Sequence, residues 1–443
     1  MYQKKLKKHL NYLSKVITPL NLSKFFLYAF VFLLPFQINV IIYAPEVFVE
    51  GNFNPFTSVF IYLTDFLFLF ALVFWAISIF KHEYKEKFTY GNAFIFMLMF
   101  LFLIFAELSV LFAEDQWLSF NIVIRIVQFL LLYIYIINKT VKLDTLVNVF
   151  LASVTLQALI AILQYVFQGS IGLSFLGESF IGPDVAGVAK IDIEEGAKII
   201  RPYGTLPHPN ILAGYLLTGI FLAYYKIKQK KHFAYPVMLV LIAAFILAFS
   251  RGAFLAFLLA ALVYFSVKES KLSLKYIILF AAFLLFFVVL FNLEQTFLSR
   301  FLFTDTASFN DRIFYFNVSK SMFWHTPFGV GLGNFTLNLP DFTSLKLAPW
   351  QYQPVHNSYM LMLNEMGIQG ALAFISLFVG FSVGVFLKMK KAAKDFGPIL
   401  LAILASIFVV GMFDHYTASL YHGMALLFLI FALCGKFIIK ESH

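Results

Sequence analysis

The stretch GNAFIFMLMFLFLIFAELSVLF, residues 91–112, decides the fold class. A single ionisable residue, Glu107, interrupts an otherwise apolar run. A helix crosses the hydrocarbon core of a bilayer with about 20 such residues, whereas an open strand cannot cross because its backbone groups would go unpaired. Working outward, comparable runs at 24–43, 57–80, 118–138, 145–168, 211–226, 233–249, 253–267, 276–293, 368–387, 398–413 and 422–438 bring the expected spans to about twelve. The whole chain of 443 residues agrees, being 61% apolar and only 13% charged. A soluble domain carries about 25% charged residues, and a disordered chain carries few apolar ones. The expected fold class is therefore an all-α polytopic membrane protein. The lone cysteine, Cys434, lies in an apolar run, so neither a disulfide framework nor a cysteine metal site can form within the chain. Lys4, Lys5, Lys7 and Lys8 precede an apolar run from Phe25 that no clear cleavage site follows. That run reads as a retained first span rather than a signal peptide.

Charge orients the spans. With the N-terminus in the cytoplasm, inward segments hold 24 lysines, outward segments hold eight Lys or Arg, and Arg125 sits within a span. This positive-inside pattern predicts both termini on the cytoplasmic side of the inner (cytoplasmic) membrane. The net charge of +10 is then an orientation signal beside anionic lipid and requires no nucleic-acid partner. All five arginines, Arg125, Arg201, Arg251, Arg300 and Arg312, avoid the inward segments. A guanidinium fork suits paired contacts to phosphate or carboxylate oxygens, so the outer arginines read as functional. The plainer alternative is salt bridging to loop carboxylates.

The chain divides into a basic N-terminus at 1–23, five spans over 24–168, an outer loop at 169–210, four spans over 211–293, a large outer loop at 294–367, and three spans with a cytoplasmic C-terminus over 368–443. Two outer segments, about Gly169 to Asn210 and about Glu294 to Val355, are too long for simple connectors. They carry Phe, Trp, Tyr and Pro throughout, so order is expected and the working end faces outward. No internal repeat of broken spans is visible, which counts against a transporter.

Several motifs carry candidate chemistry. Asn310-Asp311-Arg312 reads as a helix start, after which Phe314, Val318 and Met322 fall on one face and Arg312 and Lys320 on another. That pattern predicts an amphipathic helix in the outer headgroup layer with a basic face toward anionic headgroups. Glycine at alternate positions over Pro327 to Phe335 predicts tight turning against the membrane surface rather than a dinucleotide loop. The stretch from His356 to Gly367 predicts a short helix with His356 at its N-terminal end. A helix N-terminus disfavours imidazolium, so His356 reads either as a neutral base or as a plain cap. Ser250-Arg251-Gly252 reads as a tight outer turn that holds Arg251 at the hydrocarbon boundary, near lipid phosphate or simply snorkelling. Arg201 to Gly214, with three prolines, makes a rigid approach to the sixth span, with Asn210 as a cap.

Weaker candidates remain. Asp65 and Glu107 lie inside spans, where an ionisable group is costly, and pairing with Arg125 is the favoured role for either. Glu114-Asp115 and the run Asp192-Ile193-Glu194-Glu195 offer oxygens to a divalent cation or are merely solvated. Asp414-His415 and His422 border the last outer loop and are candidates to line the same chamber.

In their order these features resemble the O-antigen ligase and polymerase family of bacterial envelope glycosyltransferases. The resemblance covers about Arg201 to Gly370. It rests on Gly204-Thr205 with Pro209-Asn210 and Ala213, then Ser250-Arg251-Gly252, Arg312 with Trp324, Pro327 to Phe335, and His356-Asn357 with Glu365-x-Gly367. It implies a GT-C-like membrane fold with a large outward loop domain between the ninth and tenth helices. The activity implied is an inverting transfer, without metal or other cofactor, from a polyprenyl-diphosphate-linked (undecaprenyl-type) glycan donor to a glycan, lipid or protein acceptor. Carried over residue by residue, the resemblance implies that Arg251 and Arg312 bind the donor diphosphate and that His356 is catalytic. Arg201, Arg300, Asn357 and Glu365 are auxiliary. A polytopic transporter or lipid-linked glycan flippase is the alternative class, and it would need charged residues along a midplane path.

Overall fold

A computed structural model of the chain describes residues 17–44, 54–138, 140–192, 198–268, 306–348, 351–391 and 395–439. Among these, eight helices are long and apolar enough to cross a membrane, and three shorter apolar helices accompany them. In chain order the elements begin with α1 (Pro19–Leu33), the strands β1 (Asn39–Tyr43) and β2 (Val59–Tyr62), then α2 (Leu63–Phe80), α3 (Ala93–Ser109), α4 (Gln116–Ile137) and α5 (Leu143–Phe167). A small hairpin of β3 (Lys190–Asp192) and β4 (Lys198–Ile200) leads to α6 (Pro209–Lys228), α7 (Ala234–Leu247) and α8 (Arg251–Lys268). The rest comprises α9 (Thr306–His325), the one-turn α10 (Phe335–Asn338), α11 (Ser358–Lys391), α12 (Phe396–Gly411), the one-turn α13 (Tyr416–Ser419) and α14 (Tyr421–Ile439). The chain is an integral membrane protein. The expected span at 276–293 and Arg300 lie outside the described residues.

Burial sorts the helices into centre and periphery. In the most apolar stretch, 83% of α14 and 78% of α6 is buried, against 28% of α2, α3 and α8. A helix that is apolar all round belongs inside, and α14 meets that condition with small residues such as Ala425, Ala432 and Gly435 admitting close neighbours. Peripheral α3 keeps Ile95, Met99, Phe102 and Ala106 inward, at helical spacing, and leaves Phe94, Phe100 and Leu108 exposed for lipid. At the end of the bundle opposite the site described below, buried Lys226 forms an ion pair with Asp144, and Lys268 forms one with Asp395.

Two expected spans are shorter than their apolar runs. The run 24–43 is α1 followed by β1, and the run 57–80 begins with β2, which pairs antiparallel with β1. Pro35 ends the first helix, and the β-branched Val40, Ile41 and Ile42 favour extended backbone. Hydropathy alone counted these strand residues as membrane-spanning. The hairpin then feeds directly into α2, where Asp65 Oδ2 accepts a hydrogen bond from the Tyr62 N–H at 2.8 Å.

The helix from Ser358 is interrupted at Gly367, whose φ of 69° and ψ of −177° are not helical. A Cβ there would stand 2.7 Å from the Pro327 carbonyl oxygen, so only glycine permits this crossing. The glycine-rich stretch turns as expected, with φ of 94°, 88° and 75° at Gly329, Gly331 and Gly333. It packs on the kinked helix: the Val330 N–H donates to the Asn364 carbonyl and the Gly331 N–H to the Glu365 carbonyl.

Candidate active site

His356 is placed by the start of α11. Asn357 Oδ1 caps that helix, accepting from the N–H groups of Tyr359 and Met360 at 3.0 Å each. The Asn357 side chain also donates to the Met412 carbonyl at 3.0 Å, and Ser358 Oγ donates to the Asp414 carbonyl at 2.9 Å. These bonds tie the α11 start to the turn after α12, and so set His356 beside His415, with ring centroids 5.5 Å apart. His356 Nδ1 is buried and has no hydrogen-bond partner among the described residues. Burial pushes the His356 imidazole below its usual range; Asp414 and Asp311 oppose that, and Arg312 adds to it. The ring is neutral, with an unused nitrogen.

The arginines come from two other elements. A sharp turn with Phe249 at φ 45° precedes α8, which begins at Arg251 itself, two residues earlier than a turn over Ser250 to Gly252 would allow. Gly252 lets α8 close on Phe413, because a Cβ there would sit 3.1 Å from the Phe413 Cβ. On α9, Tyr315, Val318 and Met322 are buried, while Lys320 is exposed. Arg312 does not share an outward basic face with Lys320: it turns into the bundle and donates from Nη1 to the Phe413 carbonyl at 3.1 Å. Arg251 and Arg312 line a cleft of about 30 Å³ together with Asp414, Asn210 and Ser250. Neither arginine forms an ion pair among the described residues, where the pairs are Arg125–Asp65, Lys226–Asp144 and Lys268–Asp395. Two guanidinium groups against one carboxylate leave uncompensated positive charge, which is the electrostatics of an anion site.

Asp414 joins the two halves. It lines both the arginine cleft and a larger cavity of about 320 Å³ that also holds His356, His415, His208, Arg125 and Tyr421. Its Oδ1 accepts from the His415 N–H and its Oδ2 from the Asn210 amide, each at 2.8 Å. Burial raises the Asp414 pKa, but attraction to the His415, His356 and His208 rings when these are protonated at acid pH, together with the Asn210 bond, outweighs it, so the carboxyl stays below its usual range. Burial lowers His415 to about 4 and His208 to about 3, so both rings are neutral at pH 7. One negative charge therefore faces a neutral base on one side and two cations on the other.

Arg201 stands behind this arrangement. It is buried, donates from Nε to the Ala248 carbonyl at 2.9 Å and from Nη2 to Asn210 Oδ1 at 2.7 Å, and so orients the amide that holds Asp414. The proline-rich approach is pinned on α5: Gln164 Oε1 accepts from the N–H groups of Tyr203 and Gly204, and Gln157 Oε1 from that of Thr205. Glu365 lines neither cavity; its Oε1 accepts from the Phe335 N–H at 3.3 Å and holds the glycine-rich turn. Asp65 pairs with Arg125, whose guanidinium lies over the Tyr421 ring, whereas Glu107 is exposed on α3. Asp115 caps α4 through Leu118 and accepts from Tyr43, and Glu114 accepts from Asn338. Glu194 and Glu195 lie outside the described residues. His422 is directed at the Phe36 carbonyl, 3.4 Å away, and does not line the chamber.

Asp414 and Asn210 are the members whose weight the sequence understated. Asp414 follows an apolar run directly, which is a signal of an ionisable group at a span end, but apart from the adjacent His415 its partners are far away in the chain, His356 58 residues before it and Asn210 204. No curated protein matches the chain. A family model described as O-antigen ligase matches residues 236–375. That stretch contains Arg251, Arg312 and His356, and the match, over part of the chain, agrees with the resemblance to the O-antigen ligase and polymerase family.

Proposed function

We propose that this chain is an inverting glycosyltransferase that moves a glycan from a polyprenyl-diphosphate carrier to an acceptor hydroxyl, at the outer face of the cytoplasmic membrane. The observation that carries the reading is the position of Asp414, shared between the cleft of Arg251 and Arg312 and the cavity of His356. The diphosphate sits against the two guanidinium groups, and the sugar it carries projects past Asp414 into the larger cavity. The acceptor hydroxyl attacks the anomeric carbon from the face opposite the diphosphate. As the new C–O bond forms, the old one breaks and its electron pair leaves with the diphosphate. His356 takes the hydroxyl proton, and Asp414 offsets the charge of the resulting imidazolium. Fixed guanidinium groups stabilise the leaving charge without reorganising at the moment of transfer. The step is read as metal-independent, which a chelator tests: loss of transfer in its presence would return the acidic side chains to the mechanism. The side of the membrane rests on the lysine distribution, with the site at the opposite end of the bundle from Lys226 and Lys268.

The deciding experiment is transfer from a lipid-linked glycan by the purified chain in detergent, where no sealed compartment exists. Sugar appearing on an acceptor supports a transferase. Movement of the glycan only in sealed vesicles would support a flippase instead. Arg251→Ala, Arg312→Ala and His356→Ala are each expected to lose turnover on the order of 10²-fold or more while still inserting. Near-normal turnover in one of them removes that residue from the site.

A further inference from the structure

Two histidines of the larger cavity carry opposite polarity, and each owes it to a bond with its own chain. His208 precedes α6, and its Nδ1 accepts the Asn210 N–H at 3.2 Å. A neutral imidazole has one proton, so in His208 that proton lies on Nε2, which is a donor. His415 is the reverse. Its Nδ1 lies 2.6 Å from Ser419 Oγ, and Ser419 donates its single hydroxyl proton to the His415 carbonyl, 3.1 Å away. Nδ1 must therefore be the donor to Ser419, which leaves the lone pair on Nε2, an acceptor. Both rings line the cavity, and neither Nε2 has a hydrogen-bond partner among the described residues. Neither atom is sealed as His356 Nδ1 is, so both are open to the cavity. Charge narrows what can meet them. Among the described residues that line the cavity, Arg125 is the one cation and is paired with Asp65, while Asp414 is the one anion.

We propose that His208 and His415 select the transferred sugar, and that the unit joined to the diphosphate is a neutral, hydroxyl-bearing sugar rather than a uronic acid. His208 Nε2–H donates to a hydroxyl oxygen of that sugar, and His415 Nε2 accepts a hydroxyl proton from it. The assignment rests on the glycosyltransferase reading above, in which the sugar projects past Asp414 into the cavity. A hydroxyl both donates and accepts, so hydroxyls satisfy both nitrogens. A carboxylate only accepts. It would set its lone pairs against that of His415 Nε2, face the charge of Asp414, and find no unpaired cation on the described lining. Ser419 is a positioning residue, because it acts by fixing which His415 nitrogen holds the proton.

The test compares the affinity of the purified full chain in detergent for bare prenyl diphosphate and for the same carrier bearing one sugar. The sugars are glucose, galactose and N-acetylglucosamine, with glucuronic and galacturonic acid as the acidic counterparts. At least one neutral sugar is expected to bind more tightly than the bare carrier, and neither uronic acid is. His208→Asn, which keeps an acceptor for the Asn210 N–H, and His415→Phe are each expected to cut that gain about tenfold, the scale of one lost hydrogen bond. The gain is a ratio within each variant, so a general loss of folding or of diphosphate binding cancels. In spectra of the chain carrying 15N-labelled histidine, the proton is expected on Nδ1 of His415 and on Nε2 of His208. Ser419→Ala is expected to move the His415 proton and reduce the gain, and Ser419→Thr, which keeps the hydroxyl, to preserve both. Equal gains for neutral and acidic sugars, no gain for any neutral sugar, or His415 protonated on Nε2 would each overturn the proposal. A chain that shows the neutral-sugar gain but transfers no sugar to any acceptor supports the sugar site and overturns the transferase reading instead.

Discussion

At His356, chemistry follows from what surrounds one ring. Burial lowers its pKa from the usual 6.5 and outweighs the neighbouring carboxylates. A base must be unprotonated, so activity is retained as pH falls through 6.5 and is lost only below the depressed pKa. The acid limb of the kcat/KM profile is therefore expected below pH 6.5; a limb above it would contradict a buried neutral base. Asp414 raises the His356 pKa, so Asp414→Asn should move that limb further toward acid while lowering turnover, roughly 10²-fold by the scale of proton-transfer catalysis. A variant with full activity and an unmoved limb would uncouple the two residues. Arg201 acts at a remove. Arg201→Ala strands the buried Ala248 carbonyl and frees the half-buried Asn210 Oδ1, and the buried carbonyl left unpaired costs about 1–3 kcal/mol. The expected readout is a lower thermal midpoint in detergent together with slower turnover.

At the scale of elements, the break in α11 is what lets one chain segment both build the site and enter the membrane. The glycine-rich turn and the kink interlock: a Cβ on Gly329 would lie 2.5 Å from the Glu365 carbonyl oxygen, and one on Gly367 would lie 2.7 Å from that of Pro327. Both glycines have positive φ, where another residue costs on the order of 1–3 kcal/mol before any clash is counted. Gly329→Ala and Gly367→Ala should each lower the unfolding midpoint by more than a typical surface substitution, and wild-type midpoints would show that the crossing can relax. This crossing was partly legible in the sequence, since alternate glycines announce a turn. Its location was not, because the surface it meets is formed by residues some thirty positions later. The β1–β2 hairpin was illegible for another reason: Val, Ile and Phe are as apolar in a strand as in a membrane helix, and only Pro35 marked the change.

For the whole molecule, the lysine asymmetry makes an orientation that labelling can read. Cys434 is fully buried, so a second cysteine introduced at an exposed position reports alone. With an impermeant maleimide on intact cells, Leu345→Cys, at the site end, is expected to label, and Lys231→Cys only after permeabilisation; both residues are exposed. The reverse pattern would place the site on the cytoplasmic side.

The sequence by itself determined that helices cross a membrane, because a bilayer offers no partner for unpaired backbone and selects long apolar runs. It also set apart Arg251, Arg312 and His356, whose residue types are rare and chemically distinct. Only the tertiary structure decided that a single buried carboxylate, Asp414, stands between them, and that Asn357 and Glu365 serve helix cap and turn. Proximity across the ends of several packed helices depends on packing, and no spacing along one chain encodes it.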